Sequence, residues 1–204
     1  MPKNGAETRT ELMDAAQNLI LAQGFAGTSV DAILERTGLT KGAFFHHFKS
    51  KHDLARALVE RYAAADIELL ERNMERAERL HRDPLQQVLI FLGLYEELAE
   101  QLPDPTQGCL LASYLYEAQL FDDSVHEVIR VNVKQWRTRL GKKLREAAKL
   151  HQARIPVDLD DLADMATVIV EGAYVMAKAT KEPKTVARQL RNLRNYIELL
   201  FGAA

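Results

Sequence analysis

One pattern runs through almost the whole chain. Apolar residues return at every third or fourth position, and no stretch alternates apolar with polar residues as a half-buried strand does. A chain patterned in this way buries its apolar groups as stripes along helices. Glycines and prolines cut the pattern into about nine segments, so the expected fold class is all-α. The first stripe is Leu12, Ala15, Ala16, Leu19 and Ile20, closed by Gly24. Thr28 opens a short second helix, with Asp31 three residues on in capping-box position and Val30, Ile33 and Leu34 as its apolar face. Gly38 permits a tight turn, and Thr40 starts a third short helix through Phe48. Ser50 and Asp53 repeat the capping signal before a long helix from about Lys51 to Leu80.

The second part of the chain opens at Asp83-Pro84, which reads as a cap followed by a first helical residue. The helix behind it carries Leu85, Val88, Leu89, Phe91, Leu92, Leu94, Tyr95 and Leu98 nearly all round, and should be buried. Pro103 and Pro105 end that stretch. Further helices are expected from about Gln107 to Leu120 and from about Asp123 to His151, before Pro156. Two more follow. In one, Leu162, Ala166, Ile169, Ala173, Met176 and Thr180 are spaced alternately by four and three, and after Pro183 so are Val186, Leu190, Leu193, Ile197 and Leu200. These are a/d seams, each too short for a free-standing coiled coil. Either a twofold partner completes a four-helix bundle over them, or they face the chain's own core.

Charge narrows what the short helices near the N-terminus do. The formal net charge is −2, so the chain does not coat nucleic acid over its whole surface. From Arg36 to Lys51, however, Arg36, Lys41, Lys49 and Lys51 stand with no acidic residue among them, and His46, His47, Thr37, Thr40 and Ser50 add donors. A short helix, a glycine turn and a second short helix form the plan of a helix-turn-helix. Phosphate contacts would supply its salt-sensitive affinity, and side chains on the second short helix would read base edges.

Other classes find less support. Met1 to Glu11 is polar without an apolar segment, and no apolar run reaches the roughly 18–20 residues that span a bilayer. The single cysteine, Cys109, builds neither an internal disulfide nor a cysteine zinc site. A cytoplasmic location is the default. Adjacent His46 and His47 point about 100° apart on a helix and have no histidine one turn away, so no metal is expected. No phosphate loop, HExxH or nucleophile elbow occurs, so no catalytic residue and no cofactor are expected. A helical enzyme that retains a DNA-binding head is the remote alternative.

The stretch GFAGTSVDAILERTGLTKGAFFHHFKSKHDL resembles the N-terminal domain of TetR-family regulators nearly position for position. Gly24-Phe25, Thr28-Ser29, Gly38, Lys41-Gly42 and the aromatic run ending in His47-Phe48, followed by Lys49 and Lys51, carry the resemblance. It implies a three-helix DNA-binding domain over residues 1–52 and a helical ligand-binding and dimerisation domain over 53–204. By position, Lys41, Gly42, Ala43, Phe45 and His46 would face bases. Arg9, Thr28, Ser29, Thr40, His47 and Lys51 would hold phosphates, and Phe44 and Phe48 would anchor the helix. The family usually has tyrosine where Phe45 stands, so that position lacks a hydroxyl donor.

The resemblance also implies a homodimeric repressor on a palindromic operator, released by a small-molecule effector. Leu162, Ala166, Ile169, Ala173, Val186, Leu190, Leu193, Ile197 and Leu200 would then form the dimer seam. Phe91, Tyr95, Tyr114, Trp136 and Tyr174 are the candidate ligand contacts, each otherwise core, and suit a modest, mostly apolar or aromatic effector. Cys109 resembles the reactive-cysteine position of the family's electrophile-responsive repressors, with Lys178 matching their lysine. The competing readings are therefore an electrophile or redox sensor and a buried packing thiol.

Overall fold

The computed structural model describes residues 5–102 and 108–202, and holds nine α-helices and no strand among them. They are α1 (Gly5–Gly27), α2 (Val30–Thr37), α3 (Lys41–His47), α4 (Lys51–Leu80), α5 (Pro84–Gln101), α6 (Leu110–Tyr116), α7 (Asp123–Ala148), α8 (Leu159–Thr180) and α9 (Thr185–Phe201). Pro103, Pro105 and Gln107 lie outside the described residues. The chain divides into two compact units, Met1–Ala64 with Cys109–Arg130, and Ala65–Gly108 with Val131–Ala204. Helices α4 and α7 each contribute to both. No described helix is long and apolar enough to cross a membrane.

The first unit is organised by short-range hydrogen bonds. Gly24 breaks the α1 geometry at φ 79°, where a residue with a Cβ would be strained. Thr28 does not open α2 as its sequence position suggests. Its hydroxyl turns back to donate to the Gly24 carbonyl at 2.8 Å, and Ser29 is the cap instead, accepting from the Ala32 N–H at 3.0 Å. Gly38 ends α2 in the left-handed region, and Thr40 caps α3 by accepting from Ala43 N–H at 3.2 Å. Before α4, Ser50 accepts from Asp53 N–H at 3.1 Å, while the Asp53 carboxylate accepts from Lys49 N–H at 2.9 Å. The apolar faces of α1 to α4 meet those of α6 and the start of α7 around Leu12, Phe25, Ile33, Phe44, Leu58 and Tyr114. Helix α6 is shorter than the expected Gln107–Leu120 segment. Glu117 leaves the helical geometry after Tyr116, and Ala118–Leu120 form a single 3-10 turn.

In the second unit, Asp83 caps α5 as its sequence suggests, accepting from Leu85 N–H at 2.7 Å. Helix α9 packs against both α5 and α8. This packing covers most of the a/d seams. Leu162, Ala166, Ala173, Val186, Leu190, Leu193, Ile197 and Leu200 are all buried inside their own chain, and Ile169 packs half-buried beside them. These positions are thus covered by residues of their own chain. Met176 and Thr180, at the C-terminal end of the α8 seam, are exposed instead, and so are Val168, Val175 and Leu199, which lie outside the seams.

Candidate nucleic-acid interface

Helix α3 is held by one face and open on the other. Phe44 and Phe48 are buried with ring centroids 5.8 Å apart, and the Arg9 guanidinium lies 5.0 Å from the Phe48 ring centroid. They anchor the helix as expected from their position. Lys41, Gly42, Phe45 and His46 are exposed, with Ala43 and His47 half-buried beside them. Phe45 is 56% exposed, an apolar ring in water that burial against a partner would favour. A Cβ built on Gly42 would meet only Thr40 Oγ1, at 3.8 Å. The fold itself therefore has room for a side chain there.

Charge at this face is less one-sided than the run from Arg36 to Lys51 suggests. Folding brings Asp31 of α2 to within 3.0 Å of the Lys41 ammonium, with both side chains exposed. An exposed pair of this kind contributes about 0–1 kcal/mol, so a phosphate competes readily for the lysine. Ser29 and Thr40 use their oxygens as caps but keep their O–H hydrogens to donate outward.

Two residues expected at phosphates have other occupations. Thr28 is 1% exposed, with its hydroxyl committed to Gly24. Lys51 donates to the Phe25 carbonyl at 2.9 Å and the Thr28 carbonyl at 2.8 Å, with its ammonium 4.0 Å from the Phe25 ring centroid. Burial lowers the Lys51 pKa, opposed by the Glu117 charge. Glu117 itself has no counterpart in the sequence reading. Its carboxylate accepts from Phe25 N–H at 2.6 Å and Ala26 N–H at 2.8 Å. The turn between α1 and α2 is thus gripped twice, its carbonyls by Lys51 and its amides by Glu117. A Cβ at Gly24 would fall 2.6 Å from the Glu117 carboxylate and displace it, but it is φ 79° that requires the glycine.

The seven candidate ligand residues do not form one cluster. Phe91, Tyr95 and Trp136 come together in the second unit, with centroids 5.0 to 6.1 Å apart. Tyr174 packs with Ala99, Ala173 and Val186 in a separate group of that unit. Tyr114 belongs to the core of the first unit, stacked on Phe121 at 4.4 Å and donating to the Ala55 carbonyl at 3.1 Å. Burial raises its phenol pKa. Cys109 is the N-cap residue of α6, half-buried against the same core, whereas Lys178 is an exposed residue of α8 in the second unit. Among the described residues, no three His, Cys, Asp or Glu side chains gather as a metal site.

Comparison with known proteins agrees with this geometry. Residues 12–58 match the profile described as "Bacterial regulatory proteins, tetR family", and residues 84–193 match "Tetracyclin repressor-like, C-terminal domain". The transcriptional regulator AcuR of Cereibacter sphaeroides is 27% identical over 173 residues, covering 84% of this chain and 77% of its own. The transcriptional repressor NemR of Escherichia coli is 22% identical over 193 residues, covering 94% of each chain. Among solved structures, a TetR-family regulator from Agrobacterium tumefaciens aligns with a TM-score of 0.76 at 22% identity, over 95% of this chain and 98% of that one. The reduced form of E. coli NemR aligns with a TM-score of 0.70 at 21% identity, over 92% and 96%. These two structures share the fold. The families and relatives matched are regulators, which are not enzymes. With one profile over the helix-turn-helix and another over more than half of the chain, this protein belongs to the TetR family of DNA-binding transcriptional regulators.

Proposed function

We propose that the protein represses transcription as a cytoplasmic homodimer on a palindromic operator, and that a small molecule bound by its C-terminal part releases it. Residues 1–52 are the DNA-binding part and 53–204 the ligand-binding and dimerisation part. The observation that carries the DNA reading is the open face of α3, where Lys41, Gly42, Phe45 and His46 are presented while Phe44 and Phe48 hold the helix from behind. Lys41, Gly42, Ala43, Phe45 and His46 meet base edges. Arg9, Ser29, Thr40 and His47 hold phosphates. The exposed apolar residues Val168, Val175, Met176 and Leu199 are the surface offered to the second copy. Release follows if the effector binds the DNA-incompetent arrangement better than the competent one.

The test is selection from random-sequence duplexes with the purified full chain, followed by anisotropy titrations at several salt concentrations. One enriched palindrome is expected. His46→Ala should shift preference among sequences, while Arg9→Ala weakens all of them and lowers the salt slope by roughly one. Failure to enrich any sequence rejects the reading. A second reading, electrophile or redox sensing through Cys109 with Lys178, is favoured by the similarity to NemR, one of whose solved structures is its reduced form. Loss of operator binding on quinone treatment in the wild type but not in Cys109→Ser would establish it.

A further inference from the structure

Helices α4, α5 and α7 bring an uncompensated carboxylate against an aromatic wall in the second unit. Asp66 of α4 is half-buried, and its Oδ2 accepts from Trp136 Nε1 at 2.6 Å and from Asn132 Nδ2 at 3.0 Å. Both donors are neutral. Neighbouring carboxylates of the unit are treated differently. Glu71 and Glu78 pair with Arg139, Glu96 with Arg191 and Arg194, and Asp164 with Arg137. Among the described residues, no lysine or arginine pairs with Asp66. Withdrawing a carboxylate from water without a counter-charge is unfavourable, and neutral hydrogen bonds offset only part of that.

The surroundings of Asp66 have the composition that attracts a cation. The rings of Tyr95 and Trp136 lie 5.2 Å apart, edge to face, with Phe91 behind them at 5.0 and 6.1 Å. Aromatic faces attract ammonium groups, tryptophan most strongly. Asp66, Tyr95 and Trp136 each retain accessible surface. Two more polar atoms lie behind this wall. Tyr95 Oη and the Nδ2 of the buried Asn73 are shut off from solvent with no hydrogen-bond partner. Asn73 lies close enough to bear on the phenol, without hydrogen-bond geometry between the two. Burial, and after it the Asp66 charge, raises the Tyr95 pKa, so its hydroxyl stays a donor.

We propose that Asp66, Tyr95 and Trp136 bind the positively charged head of an amphipathic organic cation, an alkylammonium or arylalkylammonium, with its apolar body against the partly exposed rings of Tyr95 and Trp136. The proposal rests on the reading above that the C-terminal part takes a small-molecule effector, and it narrows that effector to a cation.

Trp136 is the chain's one tryptophan, so its fluorescence reports this site in the full-length protein. The titrants are benzyltrimethylammonium, and benzyl alcohol and benzoate, which present the same ring without the positive charge. Saturable quenching by the cation is expected, at least about tenfold tighter than for either control, a difference of about 1.4 kcal/mol. Asp66→Asn keeps an acceptor oxygen for Trp136 and Asn132 and should weaken the cation at least about tenfold. Glu68→Gln, an exposed carboxylate two residues away, should leave it unchanged. Benzyl alcohol or benzoate binding as tightly as the cation overturns the proposal in the wild type alone, whatever the variants do. So does an unchanged affinity in folded Asp66→Asn, or no response to the cation at all. Operator anisotropy in parallel separates the two claims. Cation binding that leaves operator affinity unaltered keeps the site and rejects the effector reading. Operator release by a neutral or anionic compound, with no response to the cation, keeps the effector reading and rejects the site.

Discussion

Gly42 sits on the exposed side of α3, and a Cβ there would find ordinary contact at 3.8 Å and nothing closer. Its own chain therefore gives no packing reason for glycine. In a helix, glycine is less favourable than alanine by roughly 0.5–1 kcal/mol. The disadvantage makes sense if an outside surface must approach the backbone closely. Gly42→Ala should leave the melting temperature unchanged or slightly raised, while weakening operator binding by about tenfold or more. Circular-dichroism melts and anisotropy titrations on the same sample check both. Unchanged operator affinity would remove Gly42 from the interface. Gly24 is the opposite case: φ 79° makes it a structural requirement that no DNA partner is needed to explain.

Between residues and the whole chain stands the turn from α1 to α2. The caps of the later helices are made within four residues and were legible: Thr40 to Ala43, Ser50 to Asp53 and Asp83 to Leu85. The grip of Glu117 and Lys51 was not. Glu117 is 92 and 91 positions from its two amide partners, and no periodicity marks such a pair. The lysine reads as a phosphate contact when only its charge and neighbours are known, and as a cap for two carbonyls once the turn is folded. The two roles separate experimentally. If Lys51 positions the turn, Lys51→Met weakens binding to all sequences while the slope of log affinity against log salt stays constant. If it holds a phosphate, the slope falls by roughly 0.9. Glu117→Gln should speed amide exchange at Phe25 and Ala26 by about tenfold or more, since the charge-assisted bonds weaken without loss of volume.

For the whole molecule, the decisive question was which surfaces a partner covers. Val175→Glu places a charge on the exposed apolar stripe of α8, at a residue that is 52% exposed. It should yield folded monomers in sedimentation and lower operator affinity by well over tenfold. Leu190→Ala removes a buried side chain and should destabilise the fold by roughly 2–5 kcal/mol without selectively breaking the dimer. The reverse pattern would restore the seam as the interface.

The sequence by itself determined the all-helical class, the bounds of α4, most caps, and the helix-turn-helix with its buried Phe44 and Phe48. Each of these follows from spacing and hydrogen bonds within one or two helical turns. Only the tertiary structure decided that α6 packs with the head, that Asp31 shadows Lys41, and that the a/d stripes of α8 and α9 are covered by their own chain except at Met176 and Thr180. An apolar stripe records that it must be buried. It carries no record of what buries it, because the hydrophobic effect is non-directional and indifferent to whether the covering surface belongs to the same chain or to another.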